Sequence, residues 1–468
     1  MRRVTLVALL LALAVPGFSA ETVDVWMTTQ DGAKTLSQEP PIPLADKAGG
    51  GDFVITLSPE KTGQEILGLG ASWEHATCEN LFKLPEAERL EVIRKIVSPV
   101  DGIGMNLMRL CIGSSDFIGE PYYTYCDLPE GQEDPELARF SIEKDRAHVL
   151  PVVKASQAAN PDLLFFASCW SAPAWMKTTG KLGGGKLRPE CHPVYAKYLL
   201  KFIQAYEAEG IPIHAVTVQN EPHMIAPGYP TTLWSAEEMR DFIRDHLGPL
   251  FRENGVKTLI WCWDHNWNKP EVPRTILSDP QAAQYIDGTG FHHYEGKVEA
   301  QSVIKAEFPD KHIYFTEGSV FRPRGAVMIA NILRNWSRSY SAWVVMLDEH
   351  RKPNRGPHSA SATIIELKDS GAVEYRNDYY LYGQFMKFIP RGAVRVESDT
   401  PEGKRLFSNA AFRTPGGKMV LVVANAERNH TAFSVRCGEQ AFDAALPAGT
   451  VATYVWTPAR QPLSGALP

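Results

Sequence analysis

Between residues 66 and 347 the chain presents eight short apolar runs, several of them separated by stretches with helical spacing. The runs are Ile66 to Ala71, Gly104 to Cys111, Leu163 to Ser168, Ala215 to Gln219, Thr258 to Trp263, Gly290 to His292, His312 to Thr316, and Ala342 to Leu347. Such brief runs suit strands buried on both faces, as in parallel sheets. Between them, Tyr195, Tyr198, Leu199, Phe202 and Tyr206 recur at helical spacing, and Ser235-Ala-Glu-Glu238 is a capping box ahead of Met239, Phe242 and Ile243. Strand alternating with helix eight times predicts a closed (β/α)8, or TIM, barrel over residues 66–385.

On either side the period falls to two. Thr22 to Met27 and Phe53 to Leu57 alternate, with a loop rich in Pro, Gly and Lys between them. Met419 to Ala424 and Val451 to Trp456 are strands, and Pro415-Gly-Gly417 is a hairpin turn. The fold class is therefore α/β: a barrel with an accessory all-β sandwich built from the C-terminal segment (386–458) and the early N-terminal strands (21–65). A loose tail follows at 459–468.

At 468 residues the chain suits two such units, and 44% hydrophobic with 22% charged residues is ordinary globular composition. The formal charge of −6, with no Lys/Arg cluster, recommends neither nucleic acid nor an anionic membrane as partner. Residues 1–20 read as an export signal: Arg2 and Arg3, an uncharged run from Val4 to Val15, then Pro16-Gly17. No later segment is long and apolar enough to span a bilayer, so the expectation is a secreted or periplasmic protein with no integral membrane segment. The seven cysteines form no C-x-x-C pair, and Cys111, Cys169 and Cys262 read as buried free thiols.

In a barrel of this kind, polar groups at the carboxyl ends of the strands line the active site. The predicted ends carry Trp73-Glu74, Ser114 to Asp116, Trp170-Ser171, Asn220-Glu221, Asp264 to Asn266, His293-Tyr294, Glu317 and Asp348-Glu349. A single strand-end glutamate is ordinarily a solvated carboxylate. Two of them, Glu221 and Glu317, each terminating an apolar run, suggest a carboxylate pair facing one pocket, which is glycosidase chemistry. The histidines in His292-His293 and Asp264-His265 also raise a metal, but adjacent strand residues point to opposite faces, so neither a metal nor a cofactor is expected.

Six stretches carry a resemblance: Gly68-Leu-Gly-Ala71, Gly102 to Phe117, Trp170-Ser-Ala-Pro-Ala-Trp-Met-Lys-Thr178, Val216 to Pro222, His292-His-Tyr294 and Phe315-Thr-Glu317. In this order and over the whole barrel, the chain resembles glycoside hydrolase family 30, the glucosylceramidase-like retaining β-glycosidases. The resemblance implies Glu221 as general acid/base and Glu317 as nucleophile, with Asn220 on the sugar 2-hydroxyl and Tyr294 holding Glu317. Arg109 and Asp264 would support the pair, and Asp116, Trp170, His293 and Trp343 would contact the sugar. A β-linked glucoside or oligosaccharide is the implied partner, hydrolysed in the manner of a β-glucosidase, β-1,6-glucanase or glucosylceramidase. A β-fucoside or β-xyloside, or a carbohydrate-binding barrel without catalysis, are the alternatives.

The departure from the family lies at the eighth strand, where glucosylceramidases carry a Trp-Asn pair and this chain reads Trp343-Val-Val-Met-Leu-Asp-Glu349. Asp348 and Glu349 are expected near the pocket rim, where unpaired carboxylates disfavour a ceramide and suit a soluble β-glucoside or β-1,6-glucan.

Overall fold

The structure, a computed structural model, describes residues 21–47, 49–226, 228–357, 360 and 362–459. The export-signal reading of residues 1–20 and the tail beyond residue 459 lie outside these residues.

Eight strands form the barrel: β1 (Gly68–Ala71), β2 (Leu107–Ile112), β3 (Leu164–Cys169), β4 (Ile213–Thr217), β5 (Leu259–Asn266), β6 (Ile286–His292), β7 (His312–Glu317) and β8 (Ser339–Ala342). Strands β2 to β7 pair in parallel and in sequence order, while β8 pairs in parallel with β1. Single parallel bridges complete the ring, Ser72 with Arg109 on one side and Ile313 with Ser337 and Gly318 with Ala342 on the other. The connecting helices bury the face their spacing predicts. In His192–Ala208 the residues Tyr195, Tyr198, Leu199, Phe202 and Tyr206 are all buried. Helix Ala236–Phe242 opens with the capping box, Ser235 Oγ accepting from Glu238 N at 3.1 Å and Glu238 Oε2 from Ser235 N at 2.7 Å.

Inside the ring, the amino ends of the strands are sealed by one apolar cluster: Leu67, Leu107, Phe166, Ala215, Trp261 and Tyr314. Trp261 and Tyr314 stack with ring centroids 3.8 Å apart. Because side chains alternate along a strand, the position two residues on faces the same way. On four of the six strands those positions are Arg109, Ser168, Thr217 and Thr316, so there the interior changes from hydrocarbon to a polar layer within one pleat. The site stands on that layer.

The other domain is a nine-stranded sheet in the order Gln440–Leu446, Thr431–Cys437, Val54–Glu65, Val394–Ser398, Phe407–Arg413, Met419–Asn425, Thr450–Trp456, Thr22–Thr29 and Ser37–Pro43. A bridge between Ala45 and Ala441 brings its two edges together, so the sheet curls around a core that includes Val23, Ile55, Leu421, Phe433 and Tyr454. It packs on barrel helices Arg322–Arg334 and Asn377–Met386. At that seam buried Gln384 donates to Thr28 Oγ1 at 2.9 Å and accepts from Thr453 Oγ1 at 2.6 Å.

Two elements differ from expectation. The Pro-rich segment expected as a loop contains the strand Ser37–Pro43. It is the sheet's edge, where the N–H that proline lacks would face solvent. The apolar run from Ala342 to Leu347 is not one strand: β8 stops at Ala342, and Met346–Asp348 opens a separate three-stranded sheet with Ile365–Leu367 and Val373–Tyr375. Both segments are buried, so hydrophobicity stays continuous while the pairing partner changes. All seven cysteines are buried and unpaired. No helix among the described residues is long and apolar enough to cross a membrane.

Strands β1 and β2 approach so closely that a Cβ built on Gly70 would lie 2.0 Å from the Leu107 carbonyl oxygen. Gly70→Ala should therefore destabilise the barrel by about 3 kcal/mol, since rigid backbone cannot yield as a side chain would. Denaturant titration of the two proteins, following tryptophan fluorescence, checks this.

Candidate active site

Arg109 lies on β2, fully buried, and its guanidinium fans out over the polar layer. Nε donates to Ser168 Oγ at 3.1 Å, one terminal nitrogen donates to Asn220 Oδ1 at 2.7 Å and Asp264 Oδ2 at 3.0 Å, and the other donates to Glu317 Oε2. Asp264 is the matching acceptor. Its Oδ2 also takes hydrogen bonds from Ser168 (2.8 Å) and Thr217 (2.6 Å), and its Oδ1 takes them from Thr316 (2.5 Å) and His292 Nε2 (2.9 Å). Burial alone would raise the Asp264 carboxyl, but Arg109 and His292 overcome it and hold Asp264 well below the usual carboxylate range. Plain alternation would not aim Asp264 inward. A bulge does so, with register slipping between Trp263 and His265 and with φ of +71° at Trp263 and +63° at Asp264.

Above this layer stand the two glutamates. Glu317, the last residue of β7, is held by Arg109 and by the Tyr294 hydroxyl, which donates to Oε1 at 2.9 Å. Glu221 follows β4 in a left-handed backbone conformation (φ +49°), its N–H donating to the Asp264 carbonyl at 3.0 Å. A glutamate held at positive φ stores strain of about 1–3 kcal/mol, which the surrounding hydrogen bonds must offset. Buried His292 joins the two: its Nδ1 is 3.4 Å from Glu221 Oε1 and 3.9 Å from Glu317 Oε1. Burial would lower His292, but Glu317, Asp264 and Glu221 together lift it to about 9. His265, by contrast, is pushed down to about 3 by burial and the neighbouring His292. Its Nδ1 is buried without a hydrogen-bond partner, 3.6 Å from Glu221 Oε1.

Glu221 and Glu317 face a cavity of about 410 Å³ whose wall includes Asp116, Trp170, Asn220, Tyr294 and Trp343. Trp170 and Trp343 stack on one another at 5.1 Å, 20° from parallel, and the Arg109 guanidinium lies 4.8 Å and 5.4 Å from their respective ring centres. Burial, with the carboxylates of Glu317 and Glu221 adding to it, pushes Asp116 up to about 8, so at neutral pH it can donate a hydrogen bond as well as accept one.

Of the residues selected from sequence, Asp116, Trp170, Asn220, Glu221, Tyr294, Glu317 and Trp343 converge on the cavity, with Arg109 and Asp264 directly beneath. His293 does not. It points away from the cavity, accepting from Ser319 N at 2.9 Å and packing against Phe315 and Trp267. Burial pushes it down to about 4. The inward histidine is its neighbour His292, which sequence reasoning passed over. The signal was available: His292 shares strand parity with Gly290, whose missing side chain makes room for Thr316 and Asp264.

Asp348 and Glu349 do not form the cavity rim. Asp348 Oδ1 accepts from the backbone of His350 and Lys352, and Glu349 pairs with the backbone of Leu367 and Asp369, as parts of the small three-stranded sheet. The acidic wall comes instead from Asp116 and Glu295. Sequence reasoning also passed over Phe117, Met224, Tyr229 and Ser319, which line the cavity from loops where no periodicity marks direction, while Asn266, at the end of β5, reaches it as one of the expected strand ends.

The sign of the His292 shift sets a pH dependence. Its folded value lies above the ordinary 6.5, so its contribution to stability is complete below pH 6.5 and is lost as pH rises through about 9. Asp264 behaves oppositely, contributing everywhere above its ordinary 3.8 and failing only in strong acid. Urea unfolding between pH 6 and 10 should show a decline in the native protein that His292→Gln largely lacks.

Comparison with known proteins agrees with this geometry. Residues 66–389 match the glycosyl hydrolase family 30 TIM-barrel domain, and residues 392–454 match the family 30 β-sandwich domain. An endo-1,6-β-D-glucanase of Neurospora crassa is 30% identical over 88% of this chain and 91% of its own length. The lysosomal acid glucosylceramidase of Mus musculus is 29% identical over 88% and 85%. A solved endo-β1,6-glucanase superposes with a TM-score of 0.85 at 29% identity, covering 94% of this chain and all of that one. With two carboxylates at the ends of β4 and β7 and both domains matched, the chain belongs to glycosyl hydrolase family 30.

Proposed function

We propose that this glycoside hydrolase is an exported, retaining β-glucosidase that cleaves β-1,6-linked glucan. The observation that carries the reading is the contact of both Glu221 and Glu317 with a single imidazole nitrogen, that of His292, on the wall of one cavity. It favours the close carboxyl spacing of about 5–5.5 Å used in double displacement over the wider spacing that admits a water. Glu317, clamped by Arg109 and Tyr294, is the nucleophile that attacks the anomeric carbon. Glu221 protonates the departing oxygen and then takes a proton from water. Asn220 has its amide oxygen committed to Arg109, so its NH2 is what it offers the sugar 2-hydroxyl. Export rests on the basic, then apolar, N-terminus.

The choice of glucan follows from the wall. Asp116 and Glu295 face the cavity, and carboxyl groups are costly to desolvate against hydrocarbon while they bond readily to hydroxyls. The relatives named as endo-1,6-β-glucanases support the same linkage. Glucosylceramide is the second reading, favoured by Ile225, 78% exposed next to the cavity residue Met224, where an acyl chain could rest.

Glu317→Gln should abolish turnover. Glu221→Ala should still form the glycosyl-enzyme from an activated aryl glucoside, while losing about 10²–10⁴-fold on unactivated substrates. Added azide should restore its turnover and give the β-glycosyl azide, read by NMR; an α-azide would overturn retention. For the substrate, kcat/KM on a β-1,6-linked glucose oligomer should exceed that on glucosylceramide micelles, and the reverse order would assign the enzyme to the lipid.

A further inference from the structure

The general acid/base Glu221 shares its Oε1 with two histidines, of which the hydrolytic reading uses His292 and leaves His265 without a role. His292 Nδ1 and His265 Nδ1 lie 3.4 Å and 3.6 Å from Glu221 Oε1, and all three atoms fall within 4.8 Å of one another. Ligand atoms at the corners of a tetrahedron around a zinc ion, at bonds of about 2.1 Å, stand about 3.4 Å apart. The two histidine–carboxylate edges already have that length, and the third is no longer than 4.8 Å.

Two further features mark the cluster as a ligand set. His292 gives its Nε2–H to Asp264 at 2.9 Å, the carboxylate–histidine arrangement that orients an imidazole towards a metal through its other nitrogen, from which the ion displaces the proton held at neutral pH. His265 is about nine-tenths buried, and its Nδ1 has no hydrogen-bond partner although it faces Glu221. A fourth donor is in reach, since Glu317 Oε1 is 3.9 Å from His292 Nδ1. The donors are two imidazoles and one or two carboxylates, a set that selects zinc or copper over magnesium and calcium.

We propose that Glu221, His265 and His292 form a binding site for a borderline divalent cation, zinc or copper, which inhibits the enzyme reversibly. The ion reaches the site through the cavity that Glu221 lines, and by coordinating Oε1 it removes the carboxyl that must touch the glycosidic oxygen. Substrate and ion exclude one another there. The inhibition rests on the glycosidase reading; the binding does not.

The experiment is therefore read first without substrate. The full chain, stripped with chelator, is titrated calorimetrically with Zn²⁺ and separately with Mg²⁺, and the Cu²⁺ form is examined by EPR. One Zn²⁺ per chain should bind, Mg²⁺ should give no heat, and the Cu²⁺ spectrum should show coupling to two imidazole nitrogens. His265→Ala should weaken Zn²⁺ binding by at least about tenfold and leave coupling to one nitrogen. His265→Gln, which keeps the bulk, should lose affinity equally and exclude collapse of the pocket as the cause. The midpoint for inhibition of aryl glucoside hydrolysis should shift with the binding constant in each variant. Absence of stoichiometric Zn²⁺ binding, or binding that both His265 variants retain, would overturn the site. Binding that moves as expected while hydrolysis is undetectable in every sample would leave the site standing and sink the glycosidase reading instead.

Discussion

The buried ion pair of Arg109 and Asp264 is the contact on which the rest of the barrel interior depends. A guanidinium and a carboxylate wholly removed from water cost several kcal/mol each unless every donor and acceptor is met. Here they are met by Ser168, Thr217, Asn220, His292, Thr316 and Glu317, contributed by β3, β4, β6, β7 and the turn after β4. One pair thus ties six neighbouring strands at a single height. The positions of the glutamates are consequences of this tie: Glu317 is bonded to it directly and Glu221 through His292 and the Asp264 backbone.

The layering explains why so polar a network can exist inside a protein. Below it, the Phe166, Trp261 and Tyr314 rings close the barrel to water from the amino end; above it, the stacked Trp170 and Trp343 cover Arg109. The electrostatic interactions between act in a medium of low polarisability, where a hydrogen-bonded charge is stronger and an unpaired one more costly. Three left-handed residues, Glu221, Trp263 and Asp264, sit at the boundary between the layers. At Asp264 this turns inward a side chain that regular alternation would not aim at the site.

Much of this was legible before the structure. Seven of the eight runs overlap their strands because a parallel strand is buried on both faces, whereas the eighth begins only at the last residue of β8; the glutamates stood out as a pair, each closing an apolar run within a recognisable motif. What was hidden shares one cause, the partner of a backbone segment. Nothing in Ala342 to Leu347 announces that β8 ends at Ala342, nor does Trp263-Asp264-His265 announce a bulge. His293 was preferred to His292 because the end of β6 was read without carrying its parity back to Gly290. Asp348 and Glu349 were misplaced by the same continuity of hydrophobic residues that hid the small sheet. The strand Ser37–Pro43 escaped because its prolines are compatible only with an edge, and edges are defined by what lies beside them.

The nine-stranded sheet places the first described strand against the last, Thr29 beside Thr450 and Asp24 beside Val455. A ribosome delivers the first of these strands long before the second. Most of the barrel's own pairings are available as soon as the next β/α unit emerges, β8 on β1 being the exception, but the sheet must hold Thr22–Thr29 without this neighbour until Thr450–Trp456 has been made. Closure across so long a loop is entropically costly and slow. The seam at Gln384, Thr28 and Thr453 then forms only when both strands are present, which couples docking of the sheet on the barrel to the pairing of segments far apart in sequence.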